Sequence, residues 1–345
     1  MNSRLEQLQA RLEEPFLVTL PVNVRYLTGF ESTNPALVLE PDRVRLFSDF
    51  RYAEAGKQVE GVEFGVTRRD MLADLAERLS GRLGFEADAI TYAGYQTLAA
   101  GGLELVPRRG VVEALRAVKD ESELAAIRRA AEITSQAYER LAEERFTGRT
   151  ERELAWRLEE LFHELGADGP AFPSIVAAGE NGAMPHAHSG DRGIPSETTV
   201  VVDAGCAVGG YCADCTRTFA TGPLPNELSE AYAVCLEGQQ AGLDAIRPGV
   251  SGRAADAAAR GRIDAAGLGE KFGHGLGHGV GLLVHEAPRL SQESEDELEA
   301  GNVVTVEPGI YLAGLGGIRI EDLVVVTEDG GEVLTTFTKE LVTVS

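Results

Sequence analysis

The chain has 345 residues, 43% of them hydrophobic and 25% charged, with 55 acidic against 32 basic side chains and a net charge of −23. That length exceeds one ordinary core and predicts a large and a small domain. So acidic a surface repels phosphate backbones and anionic headgroups, which argues against nucleic-acid and membrane-surface partners, while the excess of carboxylates identifies no site by itself.

Met1 to Leu8 are polar and charged where a signal peptide needs an apolar core, and no apolar run approaches the ~20 residues of a membrane helix, so a cytoplasmic location is expected. Cys206, Cys212, Cys215 and Cys235 are read as reduced thiols for the same reason. Leu5, Leu8 and Leu12 predict a short amphipathic helix over residues 3–14, followed by a strand at 16–20 between Pro15 and Pro21. Residues 36–39 and 44–47 read as a hairpin around Glu-Pro-Asp-Arg. Helical periodicity returns over 71–83, with short strands near 84–85 and 103–106. These segments predict a small α/β domain over residues 1–115, without histidine or cysteine, and a second domain over 116–345.

In the second part, Asp120 to Glu123 place acids ahead of a long helix whose apolar face carries Leu124, Ile127, Ala131 and Thr134. Another helix covers 151–165, with the single tryptophan, Trp156, read as a core residue beside Leu154, Leu158 and Phe162. Beyond residue 170 strands alternate with Gly-rich turns, and helices are expected near 228–246 and 252–266.

Every chemically suggestive residue lies in that last stretch. Val200-Val201-Val202-Asp203 is an apolar strand ending on a carboxylate, which needs a cation because burying an unpaired charge is costly. Asp214 stands in a second strand, 211–219, and a hairpin through Val208-Gly209-Gly210 brings the two aspartates together. An Asp214–Arg217 ion pair is the competing reading. Cys212 and Cys215 form a C-x-x-C, but on a strand they project to opposite faces and cannot grip one ion. In Gly273 to Gly281 every second residue is glycine, which excludes a helix and leaves His274 and His278 on one face of an extended chain, about 13 Å apart. One of them is therefore a ligand and the other a neighbour or substrate group, and His285 adds a third imidazole. Glu307 ends the strand 303–306, and Glu321 follows Gly317 to Ile320. Four carboxylates and an imidazole suit Mn²⁺, Co²⁺ or Zn²⁺, and four acids exceed the needs of one ion, so two ions are expected.

These residues resemble the pita-bread metallopeptidases, the family of methionine aminopeptidase, aminopeptidase P and prolidase. The resemblance rests on Asp203, Asp214, the run His-Gly-Leu-Gly-His-Gly-Val-Gly-Leu-Leu-Val-His-Glu at 274–286, Glu307-Pro-Gly and Arg319-Ile-Glu321-Asp. Asn23 to Phe30 and Ser48 to Tyr52 resemble a creatinase-like N-terminal domain, which points to the Xaa-Pro branch. The resemblance implies an α/β (α+β) chain: a creatinase-like N-terminal domain, then a pita-bread domain with a curved antiparallel sheet. It implies that Asp203 chelates one ion, His278 and Glu307 hold the other, and Asp214 and Glu321 bridge them. Glu307 becomes the proton acceptor, His186 (in Met184-Pro185-His186) a proton shuttle or substrate-orienting group, and His285 a peptide hydrogen-bonding residue. His274, Arg289 and Arg319 are assigned to substrate binding, Arg289 as the cation a dipeptide carboxylate would need. His188 matches nothing assignable. The implied function is an Xaa-Pro aminopeptidase using two divalent ions, manganese first, on peptides with proline second, in a homodimer. Prolidase activity on Xaa-Pro dipeptides is the alternative, and a non-catalytic peptide-binding module the remote one.

Overall fold

The computed structural model describes residues 3–345, so Met1 and Asn2, where the first expected domain begins, lie outside the described residues. The chain divides into two compact units, the first ending at Arg116 and the second beginning at Ala117. In the first unit α1 (Ser3–Gln9) precedes β1 (Phe16–Val18), α2 (Pro21–Thr28), β2 (Ala36–Leu39), β3 (Val44–Ser48) and α3 (Ala53–Gly56). Then follow β4 (Glu63–Val66), α4 (Met71–Arg78), β5 (Arg82–Glu86), α5 (Tyr92–Ala100), β6 (Glu104–Arg108) and α6 (Glu113–Ala117), which runs into the boundary. The sheet has the order β4-β3-β2-β1-β5-β6; β2 pairs antiparallel with both neighbours and the remaining pairs are parallel.

The expected hairpin is present, with Leu39 opposite Val44. The first helix stops at Gln9 rather than 14, and the periodic stretch from Met71 divides into α4 and β5. Leu79 leaves helical geometry, and Leu83 and Phe85 join Leu17, Val38 and Leu75 in a core that helix and sheet share. Asn23 holds this unit together: its Nδ2 donates to Glu86 at 2.6 Å and its Oδ1 accepts from Arg116 at 2.7 Å. Glu86 also accepts from the Thr19 and Leu20 amides, so the buried carboxylate is satisfied by the start of α2.

The second unit opens with α7 (Glu121–Ala142) and α8 (Glu151–Glu164), each entered through a capping box, Asp120 with Glu123 and Thr150 with Glu153. α8 turns Leu154, Leu158, Leu161 and Phe162 inward, but Trp156 is 60% exposed, contrary to expectation. Two residues on from Leu154 is roughly 200° around the helix, which places the indole on the outer face.

Strands β7 (Gly169–Pro170), β8 (Ile175–Ala178), β9 (Thr199–Asp203), β10 (Cys206–Val208), β11 (Tyr211–Cys212) and β12 (Thr216–Ala220) follow, then α9 (Asn226–Ala245) and α10 (Gly252–Ala265). The chain closes with β13 (Gly277–Gly279), β14 (Glu286–Leu290), β15 (Val303–Val306), β16 (Gly309–Leu312), β17 (Gly316–Arg319), β18 (Asp322–Thr327) and β19 (Gly330–Val333). All sheets of this unit are antiparallel: β12-β9-β8, β11-β10-β7, β16-β17 and β14-β13-β15-β18-β19. The strand expected over 211–219 is interrupted at 213–215, between β11 and β12, so Cys212 ends β11 and Cys215 lies in the break. All four cysteines are free and buried. Tyr138 of α7 reaches Val202 O and Cys215 O at 3.0 and 2.7 Å, fastening the helix layer to both halves of the hairpin. No helix among the described residues is long and apolar enough to cross a membrane.

Candidate metal centre

Asp203 is the last residue of β9, and β12 begins opposite it, with Thr216 facing Asp203. Asp214 occupies the break before β12, Glu307 follows β15, Glu321 lies between β17 and β18, and His278 sits at a register shift in β13. Glycine makes this arrangement possible: a Cβ on Gly205 would lie 1.8 Å from Ala213 O, and one on Gly277 2.1 Å from Thr305 O. The ligand-bearing backbones therefore approach more closely than any side chain allows.

Carboxylate oxygens of Asp203, Asp214 and Glu321 all fall within 4.8 Å of one another. His278 Nε2 lies 3.2 Å from Glu307 Oε1 and 3.7 Å from Asp214 Oδ2. The five expected ligands thus share one centre. Burial, and then repulsion from Glu321, Asp203 and Glu307, pushes the Asp214 carboxyl far above its usual range. Burial and repulsion from Glu307 and Asp203 do the same to Glu321. Burial also raises Asp203, with Arg319 opposing it. For Glu307 burial is outweighed by the hydrogen bond and charge of His278, which hold it below the usual range. His278 is raised in turn, because Glu307 overcomes the effect of its burial.

So many carboxylates in so little space need more positive charge than Arg319 and His278 supply. Two wholly buried oxygens, Asp214 Oδ1 and Glu321 Oε1, have no hydrogen-bond donor among the described residues. Orphaned oxygens beside an imidazole are the donor set of a divalent cation site, so the residues fit the expected metal.

Around the ligands stand residues that hold them. Thr216 Oγ1 donates to Glu321 Oε2 at 2.7 Å and accepts from Arg319 Nε at 3.0 Å. Thr305 Oγ1 accepts from the His278 amide and donates to Glu307 Oε1, both at 3.1 Å. Arg319 Nη2 pairs with Asp203 at 2.6 Å, and its Nη1 donates to the Tyr311 hydroxyl at 2.9 Å. Arg319 was expected to meet substrate; it is buried and turned onto Asp203 instead. His274, expected in the same role, has Nε2 at 2.9 Å from the Tyr311 hydroxyl and Nδ1 at 2.8 Å from Gly275 O, and burial lowers its basicity. The Arg319 guanidinium and both His274 ring nitrogens are thus engaged by the protein itself. The competing Asp214–Arg217 pair is not formed: Arg217 pairs with Asp322 at 2.8 Å and donates to Phe337 O and Thr338 O.

His285 lies tilted against His278, with ring centroids 4.3 Å apart and planes at 56°, and its basicity is lowered by burial and then by the charge of His278. His186 is exposed on the loop after a 3-10 turn at residues 179–183, near enough for its charge to act on His285. Arg289 is exposed on β14 directly opposite His278. His188 is exposed, and its carbonyl accepts from Asn181 Nδ2 at 3.3 Å. Sequence reasoning missed Thr216, Thr305 and Tyr311.

Comparison with known proteins agrees with this geometry. Residues 125–328 match metallopeptidase family M24, and residues 4–118 match the creatinase/prolidase N-terminal domain. An uncharacterized peptidase, YqhT, of Bacillus subtilis is 41% identical over 333 residues, 94% of each chain. An Xaa-Pro dipeptidase of Pyrococcus furiosus is 34% identical over 354 residues, covering 99% of this chain and 100% of that one. The structure of an Xaa-Pro dipeptidase from Bacillus anthracis superposes with a TM-score of 0.94 at 37% identity, covering 99% of both chains. With a creatinase-type first domain, a pita-bread second domain and a cluster of buried carboxylates, the chain belongs to metallopeptidase family M24 and is a metal-dependent hydrolase.

Proposed function

We propose that the chain is an Xaa-Pro dipeptidase, with two divalent cations, manganese first, held by Asp203, Asp214, His278, Glu307 and Glu321. Dipeptidase action takes precedence here over the aminopeptidase action expected from the sequence. The full-length relatives named above for an activity are dipeptidases. Arg289 is the observation that carries the reading. Directly opposed residues of an antiparallel pair share a face, so its guanidinium stands on the side of the sheet that bears His278. A dipeptide places a free carboxylate one residue beyond the scissile bond, and a guanidinium is the side chain suited to pair with it.

When bound, the cations would lower the pKa of the attacking water and polarise the scissile carbonyl. The chain's own residues hold and orient. Arg319 and Thr216 keep Asp203 and Glu321 in place, and Thr305 does the same for Glu307. Glu307 takes the proton released in the attack on Oε2, the oxygen not engaged by Thr305 or His278, and passes it to the departing proline nitrogen. His285 and His186 hydrogen-bond the peptide, while His274 braces Arg319 through Tyr311 rather than touching substrate. Catalysis is assigned to residues 116–345. A homodimer, implied by the family resemblance, and a cytoplasmic location complete the proposal.

The test compares hydrolysis of Xaa-Pro and Xaa-Pro-Yaa by the Mn²⁺-loaded protein, its Asp214→Ala variant and its Arg289→Ala variant. Dipeptide cleavage is expected, abolished by Asp214→Ala, with KM raised on the order of 10-fold in Arg289→Ala, about 1.4 kcal/mol of lost binding. Faster cleavage of the tripeptide, indifferent to Arg289→Ala, would restore the aminopeptidase reading.

A further inference from the structure

Glu151 is the first residue of α8 and is 1% exposed. No cation forms an ion pair with it among the described residues. Burying a carboxylate without a counter-ion costs several kcal/mol unless hydrogen bonds replace its water. Here they do, and they all come from one loop. Oε1 accepts from the Ala178 amide at 2.9 Å and from Asn181 Nδ2 at 3.0 Å. Oε2 accepts from Asn181 Nδ2 at 2.9 Å and from the Gly190 amide at 3.2 Å. The same Asn181 amide reaches His188 O at 3.3 Å. One carboxylate therefore grips both ends of the segment 178–190, and Asn181 ties its start to its return limb.

His186 lies on that segment, between the two gripped ends. Its own side chain is exposed, so no packing around the ring sets its place. The loop backbone does. Met184 N bonds Asn181 O and Ala187 N bonds Met184 O, so successive turns start at the clamped asparagine and end beside His186. On the far side Arg319 Nη1 reaches Pro185 O at 3.4 Å, joining the loop to the arginine that pairs with Asp203. A Cβ on Gly317 would lie 1.9 Å from Gly182 O, so the loop's first turn is pressed onto β17 without room for a side chain. The position of β17 fixes one side of the loop, and Glu151 fixes its ends.

We propose that Glu151 and Asn181 are positioning residues for the reaction: they set where His186 stands over the metal centre, and neither touches substrate. The proposal rests on the reading that His186 acts on the peptide. All the groups facing Glu151 are N–H donors, so both oxygens must accept. Glu151→Gln puts an amide donor against those donors and leaves one oxygen to serve them, which lets the loop shift while the side chain keeps its volume. A displacement of about 1 Å at an orienting group costs on the order of 10²-fold in rate.

The experiment is a double-mutant cycle on the Mn²⁺-loaded full chain, measuring kcat and KM on an Xaa-Pro dipeptide, metal content and melting temperature for Glu151→Gln, His186→Ala and the pair. Expected is a loss in Glu151→Gln divided between kcat and KM as in His186→Ala, with metal content unchanged and no further loss when the two are combined. Losses that multiply would overturn the proposal, because Glu151 would then act elsewhere. A folded Glu151→Gln protein with parental kinetics would overturn it too, while leaving His186 in its role. Parental activity in His186→Ala would remove the role of His186 and the proposal with it. Asn181→Ser keeps the backbone donors on Glu151, and it carries the same cycle if Glu151→Gln does not fold.

Discussion

Alanine at Gly277 tests how tightly the strand bearing His278 is bound to its neighbour. Its Cβ would lie 2.1 Å from Thr305 O and 2.6 Å from Thr305 Oγ1, where real Cβ contacts do not fall below 3.0 Å. β13 and β15 must therefore separate by about 1 Å, since backbone atoms offer no rotamer to escape into. Thr305 is the residue displaced, and it holds the His278 amide and the Glu307 carboxylate at 3.1 Å each, so two proposed ligands move together. Overpacking of this kind costs ~1–3 kcal/mol, which for a unit of this size lowers Tm by ~2–12 °C. Thermal unfolding followed by circular dichroism, with calorimetric titration of Mn²⁺, measures both effects. Gly273→Ala is the control, because a Cβ there meets nothing within 4 Å. A Gly277→Ala protein that melts and binds Mn²⁺ like the parent, or a control that suffers equally, would refute the reasoning.

Thr216→Val removes the donor to Glu321 and the acceptor for Arg319 while keeping the side-chain shape; a loss of ~1–3 kcal/mol in unfolding free energy is expected by denaturant titration, together with weaker Mn²⁺ binding. In the first unit the hydrogen bond from Arg51 holds Asp49 down at about 2, below its ordinary 3.8. The lowered folded value means that this stabilisation is complete above the unfolded value and disappears as pH falls towards the folded one. Parent and Asp49→Asn should differ in Tm at pH 6, with the difference shrinking as pH falls through about 2, and a constant difference would contradict the assignment. Burial pushes the Cys206 thiol to about 11 and Cys235 to about 12, and all four thiols are enclosed. A thiol reagent at pH 8 should label none in the native protein and four after denaturation.

Asp203 and Glu307 stand out in the sequence as acids where a strongly apolar strand stops, at Val202-Asp203 and Val306-Glu307, and His278 as an imidazole in a glycine-alternating run. Apolar spacing likewise announces α7 and α8, with acids at the start of α7. Trp156 misled because its neighbours at helical spacing are core residues while its own angle around α8 is not. The partners of the ligands stayed hidden for a different reason. Arg319 and Asp203 are 116 residues apart, and Glu151 and Gly190 are 39 apart, so only the folded chain shows what each side chain holds. Thr216, Thr305 and Tyr311 carry no charge at neutral pH and occupy ordinary strand positions, where nothing local marks them. The break at 213–215 depends on which strands pair with which, a decision made between β9, β10, β11 and β12 rather than within any one of them.

Every proposed ligand stands where a ladder stops or slips: at the end of β9, in the gap before β12, at the shift in β13, after β15 and between β17 and β18. The sheets are thus a frame, and the chemistry sits in its seams. A seam can open without unzipping the ladders beside it, since those keep their own backbone hydrogen bonds. Amides within β9, β15 and β18 should therefore exchange slowest in deuterium, and those at the five seams should slow when Mn²⁺ is added. Local opening at a seam and global unfolding of the frame are therefore different events, which is the property a protein needs if it is to lose an ion, exchange it for another, and take it up again without refolding.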